Sequence, residues 1–290
     1  MNGILLIDKA RGITSHDEVA RLRKILNERR IGHAGTLDPI ATGLLVLFIG
    51  RATRAVEFAE SDEKEYIAGL RLGLETDTMD ITGKVIRTGD SRVSSEELEK
   101  TLQCFRGDIS QVPPMYSAVK VNGQRLYRSA RRGIEVERRP RQITVSKLEV
   151  LSESDGDILL RIKCSKGTYI RSLCRDIGEK TGCCGVMSSL RRLTSGGFSV
   201  EDAVSSDEAE HAARAGRIEK LIIPTDRLFE KYPPVFIEPQ KEKKCRSGAP
   251  FAVEAPDGRY RIYSACNKEF LMLGSAKNGV MNTVKSFFEI

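Results

Sequence analysis

The stretch from Arg30 to Arg54, RIGHAGTLDPIATGLLVLFIGRATR, constrains the fold more than any other. A polar, glycine-bearing loop runs directly into the unbroken apolar run Leu44–Ile49. A run of this kind is buried, as a strand or as part of a helix, so the loop is fastened to the core. The loop holds one carboxylate, Asp38, followed by Pro39. Proline drives the preceding residue toward extended dihedrals, which keeps Asp38 out of a helix interior. Gly32, Gly35 and Gly43 allow close backbone approach or turns of positive φ. His33, one of three histidines, lies in the same stretch. This is how a scaffold holds a reactive side chain. It is equally the form of a surface turn before a buried element.

At 290 residues the chain suits one large domain, or a large and a small one. Its 40% hydrophobic content is that of an ordinary globular protein. No window of apolar residues is long enough for a transmembrane helix, and the N-terminus MNGILLIDKA does not read as a signal peptide. The seven cysteines include no CxxC pair, so reduced thiols in a cytoplasmic protein are expected. No Cys or His residues fall at zinc-ligand spacing. The net charge is +7, and the basic excess is clustered. One cluster holds Arg125, Arg128, Arg131, Arg132, Arg138, Arg139 and Arg141; another holds Arg171, Arg175, Arg191 and Arg192. Guanidinium forks suit phosphate, which makes nucleic acid a candidate partner beside plain solvated charge. With no tryptophan and 6% aromatics, a broad stacking platform for single strands is not supported.

Along the chain, Gly3–Ile7 reads as a buried strand ending at Asp8-Lys9. Ser15 and Glu18 have capping-box spacing for a helix to about Leu26, as do Ser94 and Glu97 for one ending before Gly107. Tyr66–Leu72 and Gly83–Arg87 read as strands, joined by a polar connection bearing Glu75, Asp77 and Asp80. Pro113-Pro114 breaks any helix, and Asn122-Gly123 marks a turn. Arg125–Arg132 fits a short, weakly anchored helix ended by Gly133. Ile143–Leu151, Asp157–Cys164 and Val186–Leu193 read as strands. Thr168 is a candidate N-cap for a helix to Lys180, with apolar spacing at Ile170, Leu173, Cys174 and Ile177. Arg171 lies in the first turn of that helix, where a cation opposes the helix dipole, so an acid or a ligand should hold it. Ser206–Ala215 is a further helix. Tyr232-Pro233-Pro234 marks a boundary. Beyond it, a small β-rich module is expected to lean on the main domain, with a hairpin of Phe251–Glu254 and Arg259–Tyr263 about Asp257-Gly258 and strands at Phe270–Gly274 and Val284–Phe288.

Five stretches taken together carry a family resemblance: GILLIDKARGITSHDEVARLRK, GHAGTLDPIATGLLVLFIGRATR, KEYIAGLRLGLETDTMDITG, VPPMYSAVKVNGQRLYRSARRG and CSKGTYIRSLCRDIG. The chain resembles the bacterial TruB family of tRNA pseudouridine synthases, closely to about Phe229 and more loosely beyond. The resemblance implies an α/β (α+β) fold with a mixed, mainly antiparallel sheet and a small β-rich C-terminal PUA-like domain. It implies a catalytic domain over residues 1–232, with a basic RNA-gripping insertion at 121–141, and an RNA-binding module over 233–290. It implies conversion of the T-loop uridine at tRNA position 55 to pseudouridine, by a cytoplasmic monomer needing no cofactor, metal or obligatory protein partner. By the same resemblance Asp38 is the catalytic aspartate, Tyr66 packs against the target base, and Arg171 pairs with Asp38. Lys9, His33, Asp80, Tyr169 and Leu190 belong around the substrate, and Arg131, Arg132 and Arg141 to the RNA grip. Ala10 departs from the proline common after the family's lysine, which alters a turn.

On residue chemistry alone Tyr66 reads as well as a sheet-core tyrosine, and His33 as a structural one. The isomerisation fits an ionised carboxylate attacking C6 or C1′, or removing a sugar proton; the residues do not choose among these. A buried carboxylate tends toward neutrality, and Arg171 is expected to hold Asp38 low and charged. Two other readings share these features: a guide-dependent synthase acting on another RNA, and an RNA-binding chaperone.

Overall fold

The computed structural model describes residues 1–59, 63–117, 119–121, 123–130, 132–154 and 156–288. The strands are β1 (Gly3–Lys9), β2 (Ile31–Ala34), β3 (Thr42–Ile49), β4 (Lys64–Leu72), β5 (Leu74–Thr76), β6 (Val85–Thr88), β7 (Gly107–Gln111), β8 (Lys120–Val121), β9 (Gln124–Arg125), β10 (Arg141–Ser154), β11 (Asp157–Cys164), β12 (Gly185–Ser195), β13 (Phe198–Ser199), β14 (Pro234–Ile237), β15 (Phe251–Ala252), β16 (Gly258–Ser264), β17 (Phe270–Lys277) and β18 (Val280–Ser286). The helices are α1 (Ser15–Ile25), α2 (Val56–Ala59), α3 (Ser95–Gln103), α4 (Leu126–Ala130), α5 (Ile170–Lys180), α6 (Ser206–Arg214) and α7 (Pro239–Arg246).

A nine-stranded sheet forms the body, in the order β1-β3-β12-β4-β11-β10-β7, with β2 added to β3 and β13 to β12. All its pairings are antiparallel except β3 with β12. A second sheet of five strands, β14-β16-β17-β18-β15, makes the C-terminal module.

The run Leu44–Ile49 is the strand β3, and the two cores explain why it does not alternate with polar residues. Leu45, Leu47 and Ile49 enter one core, together with Val19 and Leu22 of α1 and Leu173 and Ile177 of α5. Leu44, Val46 and Phe48 enter the other, with Phe229, Leu273 and Phe287. Both faces of the strand are covered, so every position is apolar. β1 divides in the same way, with Leu5 and Ile7 on one side and Ile4 and Leu6 on the other. The second core is closed by residues 50–59 and 198–232, and the C-terminal module adds Phe270, Leu273 and Phe287 to it.

Several local expectations shift. The capping box of α1 is Thr14 with Asp17, not Ser15 with Glu18. The helix begins one residue earlier than the spacing suggests, which turns Ser15 and Glu18 inward. The Ser15 hydroxyl donates to Leu37 O (3.1 Å) and accepts from Leu37 N (2.9 Å), which ties α1 to the Asp38 loop. Glu18 is buried and accepts from Ser206. The box at Ser94 and Glu97 forms as expected. Thr168 does not cap α5: Tyr169 holds the N-cap position and Thr168 Oγ1 donates back to Ser165 O (2.9 Å).

The C-terminal hairpin is also different. Phe251–Ala252 pairs with β18, while Gly258–Ser264 pairs with β17 and β14. Asp257 instead accepts from Asn278 N (2.8 Å). The tight turn lies at Asn278-Gly279, both of positive φ (51° and 74°), between Lys277 and Val280. That pair of residues is the usual type I′ signal, and it was legible. Of the residues expected at the insertion's turn and RNA grip, Asn122 and Arg131 lie outside the described residues.

Candidate active site

Asp38 stands on the loop between β2 and β3, with its side chain 33% exposed. Pro39 follows it, and Pro39 O accepts from Gly12 N (2.7 Å), so the turn after β1 backs the loop. Arg171 reaches Asp38 from the first turn of α5. Its Nε lies 2.9 Å from Oδ2 and its Nη2 donates to Oδ1 at 3.1 Å. The paired geometry fixes the carboxylate's rotamer as well as offsetting its charge. Arg171 is itself buried, and its remaining donors go to Thr78 O (3.1 Å) and Tyr116 O (2.8 Å). The position at the helix N-terminus, unfavourable for a cation, is therefore satisfied by an acid and two carbonyls.

Burial pushes the Asp38 carboxyl above its ordinary range; Arg171 pulls it back down, and nearby Asp80 adds to the rise. The balance runs opposite to the expectation from the cation alone, because desolvation outweighs the ion pair.

Asp80 is buried and closes the turn between β5 and β6. Its Oδ1 accepts from Thr78 Oγ1 (3.0 Å), Thr82 N (3.0 Å) and Thr82 Oγ1 (2.5 Å). That turn supplies the Thr78 carbonyl on Arg171, which gives Asp80 a place one step behind the ion pair. Tyr66 on β4 is 7% exposed. Burial pushes its phenol up, against the pull of Arg192. It lies directly across from Arg192 in the ladder, and Leu190 lies across from Ala68, so these side chains share one face. Tyr169 is pinned by a reciprocal amide contact, its N donating to Gln111 Oε1 (2.8 Å) and its O accepting from Gln111 Nε2 (3.1 Å).

Lys9 is wholly buried. Its ammonium donates to Ala10 O (2.8 Å) and Ile13 O (2.7 Å), bracing the turn that backs Pro39. Burial lowers its pKa, while Glu18 and Asp38 raise it. His33 on β2 is half-buried with its pKa lowered, first by burial and then by Arg192. Its Nδ1 has no hydrogen-bond partner among the described residues.

The second arginine cluster is not a phosphate surface. Arg171 and Arg192 are buried, Arg175 pairs with Asp176, and Arg191 makes a two-pronged pair with Asp8 (3.0 and 2.7 Å). Register turns Arg171 and Arg192 inward, and carboxylates take up Arg175 and Arg191, which clustering along the chain does not reveal. In the first cluster Arg132, Arg139 and Arg141 are exposed, while Arg138 donates to Pro113 O (3.2 Å). A cavity of about 900 Å³ lies beneath this segment, lined by Val119, Val121, Leu126 and Arg138 among others, and does not include Asp38. Thr78, Gln111, Tyr116 and Arg192 are the site residues that motif reading passed over. Three of them act through backbone or amide groups, which carry no sequence signature. Among the described residues no cluster of His, Cys, Asp or Glu is arranged to hold a metal ion, and no helix is long and apolar enough to cross a membrane.

Residues 23–170 match the TruB family pseudouridylate synthase N-terminal domain, and residues 171–230 match the tRNA pseudouridylate synthase B C-terminal domain. The chain belongs to the TruB family of pseudouridylate synthases. Among TruB relatives, tRNA pseudouridine synthase B of Clostridium kluyveri is 40% identical over 293 residues, covering 99% of this chain and 100% of that protein. The Bacillus anthracis tRNA pseudouridine synthase B is 43% identical over 256 residues, 86% of this chain and 83% of that protein. Among solved structures, a chain of a Cbf5-Nop10-Gar1 complex aligns with a TM-score of 0.74 and 29% identity, over 99% of this chain and 85% of that one. A chain of an H/ACA RNP bound to a substrate RNA aligns with a TM-score of 0.72 and 26% identity, over 99% and 85%. The fold is thus shared with chains of an H/ACA RNP and a Cbf5-Nop10-Gar1 complex, while the relatives nearer in sequence are tRNA pseudouridine synthases by name.

Proposed function

We propose that this TruB-family enzyme isomerises uridine to pseudouridine in tRNA, at the T-loop uridine of position 55. The observation that carries the reading is the paired Asp38–Arg171 contact, with Asp38 close enough to Tyr66 to act on its phenol and Leu190 on the same sheet face as Tyr66. The reaction breaks the C1′–N1 bond, turns the base and joins C1′ to C5. The C5 proton departs and N1 gains one, so composition is unchanged. Asp38 is the essential carboxylate, acting while ionised. Arg171 holds it in position. Tyr66 offers the base an apolar face, and Leu190 forms a wall. A folded loop hides its base, so the uridine is flipped out at a cost of a few kcal/mol, which stacking on Tyr66 and filling of the vacated space by His33 help offset.

The catalytic domain spans residues 1–232, with 121–141 as an insertion whose exposed arginines, Arg132 and Arg141 among them, meet the phosphates of the T-arm. Residues 233–290 form a PUA-like RNA-binding module. The enzyme works as a monomer without guide RNA. Position-resolved mapping of pseudouridine after incubation with an unmodified tRNA transcript, and separately with an isolated T-arm hairpin, tests this. Modification of the T-loop uridine in both is expected. Modification only after a guide RNA is added would move the assignment to a guide-dependent synthase.

A further inference from the structure

Arg192 is among the largest fully buried side chains, 1% exposed, and it forms no ion pair among the described residues. A buried cation without an acid is costly and persists only where its donors are taken up. Here they go to the site. Nε donates to Leu44 O (2.7 Å) and Nη2 to Gly35 O (3.0 Å), and Tyr66, directly across from Arg192 in the ladder, lies near enough to feel its charge. Gly35 opens the loop that carries Asp38, and Leu44 lies two residues past the start of β3, the strand that ends it.

The backbone of the loop is shaped around the same residue. Gly35 has φ +76°, and a Cβ there would lie 3.1 Å from Arg192 Nη1. Gly43 has φ +96°, and a Cβ there would lie 2.3 Å from the Arg192 carbonyl oxygen. Only glycine accepts such conformations and contacts together. In the ladder Arg192 lies between Gly43 of β3 and Tyr66 of β4.

We propose that Arg192 is a positioning residue for the isomerisation, setting the distance between the Asp38 loop and Tyr66 by holding Gly35 and Leu44 on one rigid fork beside the tyrosine. The inference rests on the reading that Asp38 and Tyr66 serve the reaction. Arg171 fixes the carboxylate from the cleft side, and Arg192 fixes the backbone beneath it. Lysine keeps the charge but has one nitrogen centre, so it cannot span the two carbonyls with the same geometry.

The test compares wild type, R192K, G35A and D38N by single-turnover rate with enzyme in excess, tRNA Kd and Tm. R192K and G35A are each expected to lose about 100-fold in single-turnover rate, the scale of a misplaced reacting group. Their tRNA Kd should stay within threefold, because neither residue faces the RNA grip. A merely structural cation would lower Tm and leave the rate of the folded enzyme alone. Rates within threefold of wild type in both variants overturn the proposal, whatever the Tm. Should R192K be recovered unfolded, G35A decides, since it keeps Arg192 and only displaces the loop end. Turnover by D38N would instead overturn the site assignment on which the inference stands.

Discussion

Arg171 grips both oxygens of Asp38, its Nη2 bonding Oδ1 from a position 133 residues further along the chain. The same guanidinium is anchored to Thr78 O and Tyr116 O, so it cannot turn away without stranding two carbonyls. Three segments distant in sequence are locked at one point, and the point is the carboxylate.

R171A leaves Asp38 misoriented and without its cation. The turnover rate is expected to fall by ~10²-fold or more. R171K keeps charge and loses the fork, so it should recover little of that loss. Single-turnover kinetics on an unmodified transcript check both, and a rate near wild type for R171K would show that charge alone suffices.

The pH profile carries its own sign. Asp38 is raised above the ordinary carboxylate range by burial. Activity requiring the ionised form is lost as pH falls through that raised value, so the acid limb of kcat/KM should lie above the ordinary aspartate pKa of about 3.9. Removing the cation in R171Q should move the limb higher still. D80N, which removes a neighbouring negative charge, should move it lower. Limbs in the opposite order would contradict the electrostatic assignment.

Asp80 matters mechanically as well as electrically. Its Oδ1 gathers Thr78 and Thr82, and the gathered turn presents a carbonyl to Arg171. D80A is expected to cost about 1.5–3 kcal/mol of stability, the scale of hydrogen bonds to a charged group, and to lower the turnover rate at least tenfold. Denaturant unfolding and single-turnover assays together measure the two effects.

Much of this was legible in the chain. The loop before Leu44–Ile49, the strand pattern at Tyr66–Leu72 and the helix through Ile177 placed Asp38, Tyr66 and Arg171 on elements that do converge. What stayed hidden has physical causes. A strand buried on both faces has no period, so Leu44–Ile49 could not show its type from its own residues; its second side is covered by Ala52, Ala55, Phe198 and Phe229 together with Leu273 and Phe287. The Ser15–Glu18 spacing imitates a capping box, yet both residues face inward from a helix begun by Thr14. Arg192 read as surface charge because a buried cation held by carbonyl oxygens leaves no acidic partner to find. In the tail, Asp257-Gly258 and Asn278-Gly279 carry the same turn signal, and only the second joins two paired strands.

The C-terminal module is held by an aromatic cluster. Phe229 meets Phe58 (5.2 Å between ring centres), Phe287 (5.6 Å) and Phe270 (6.0 Å), joining the main sheet's rear face to the second sheet. F229A should destabilise the fold by about 3–5 kcal/mol. A chain ended at residue 232 loses Phe270, Leu273 and Phe287 from the cluster around Phe229 and should be less stable than the full chain. Thermal unfolding of F229A checks the first, and a well-behaved, equally stable 1–232 fragment would show that the module is a mere appendage.

The most direct test of the central claim is pseudouridine mapping on one unmodified tRNA transcript by wild type and D38N, with binding measured alongside. Both proteins are expected to bind with similar Kd, and only the wild type to convert the T-loop uridine. Conversion by D38N at a comparable rate, or binding by the wild type with no conversion, would contradict it.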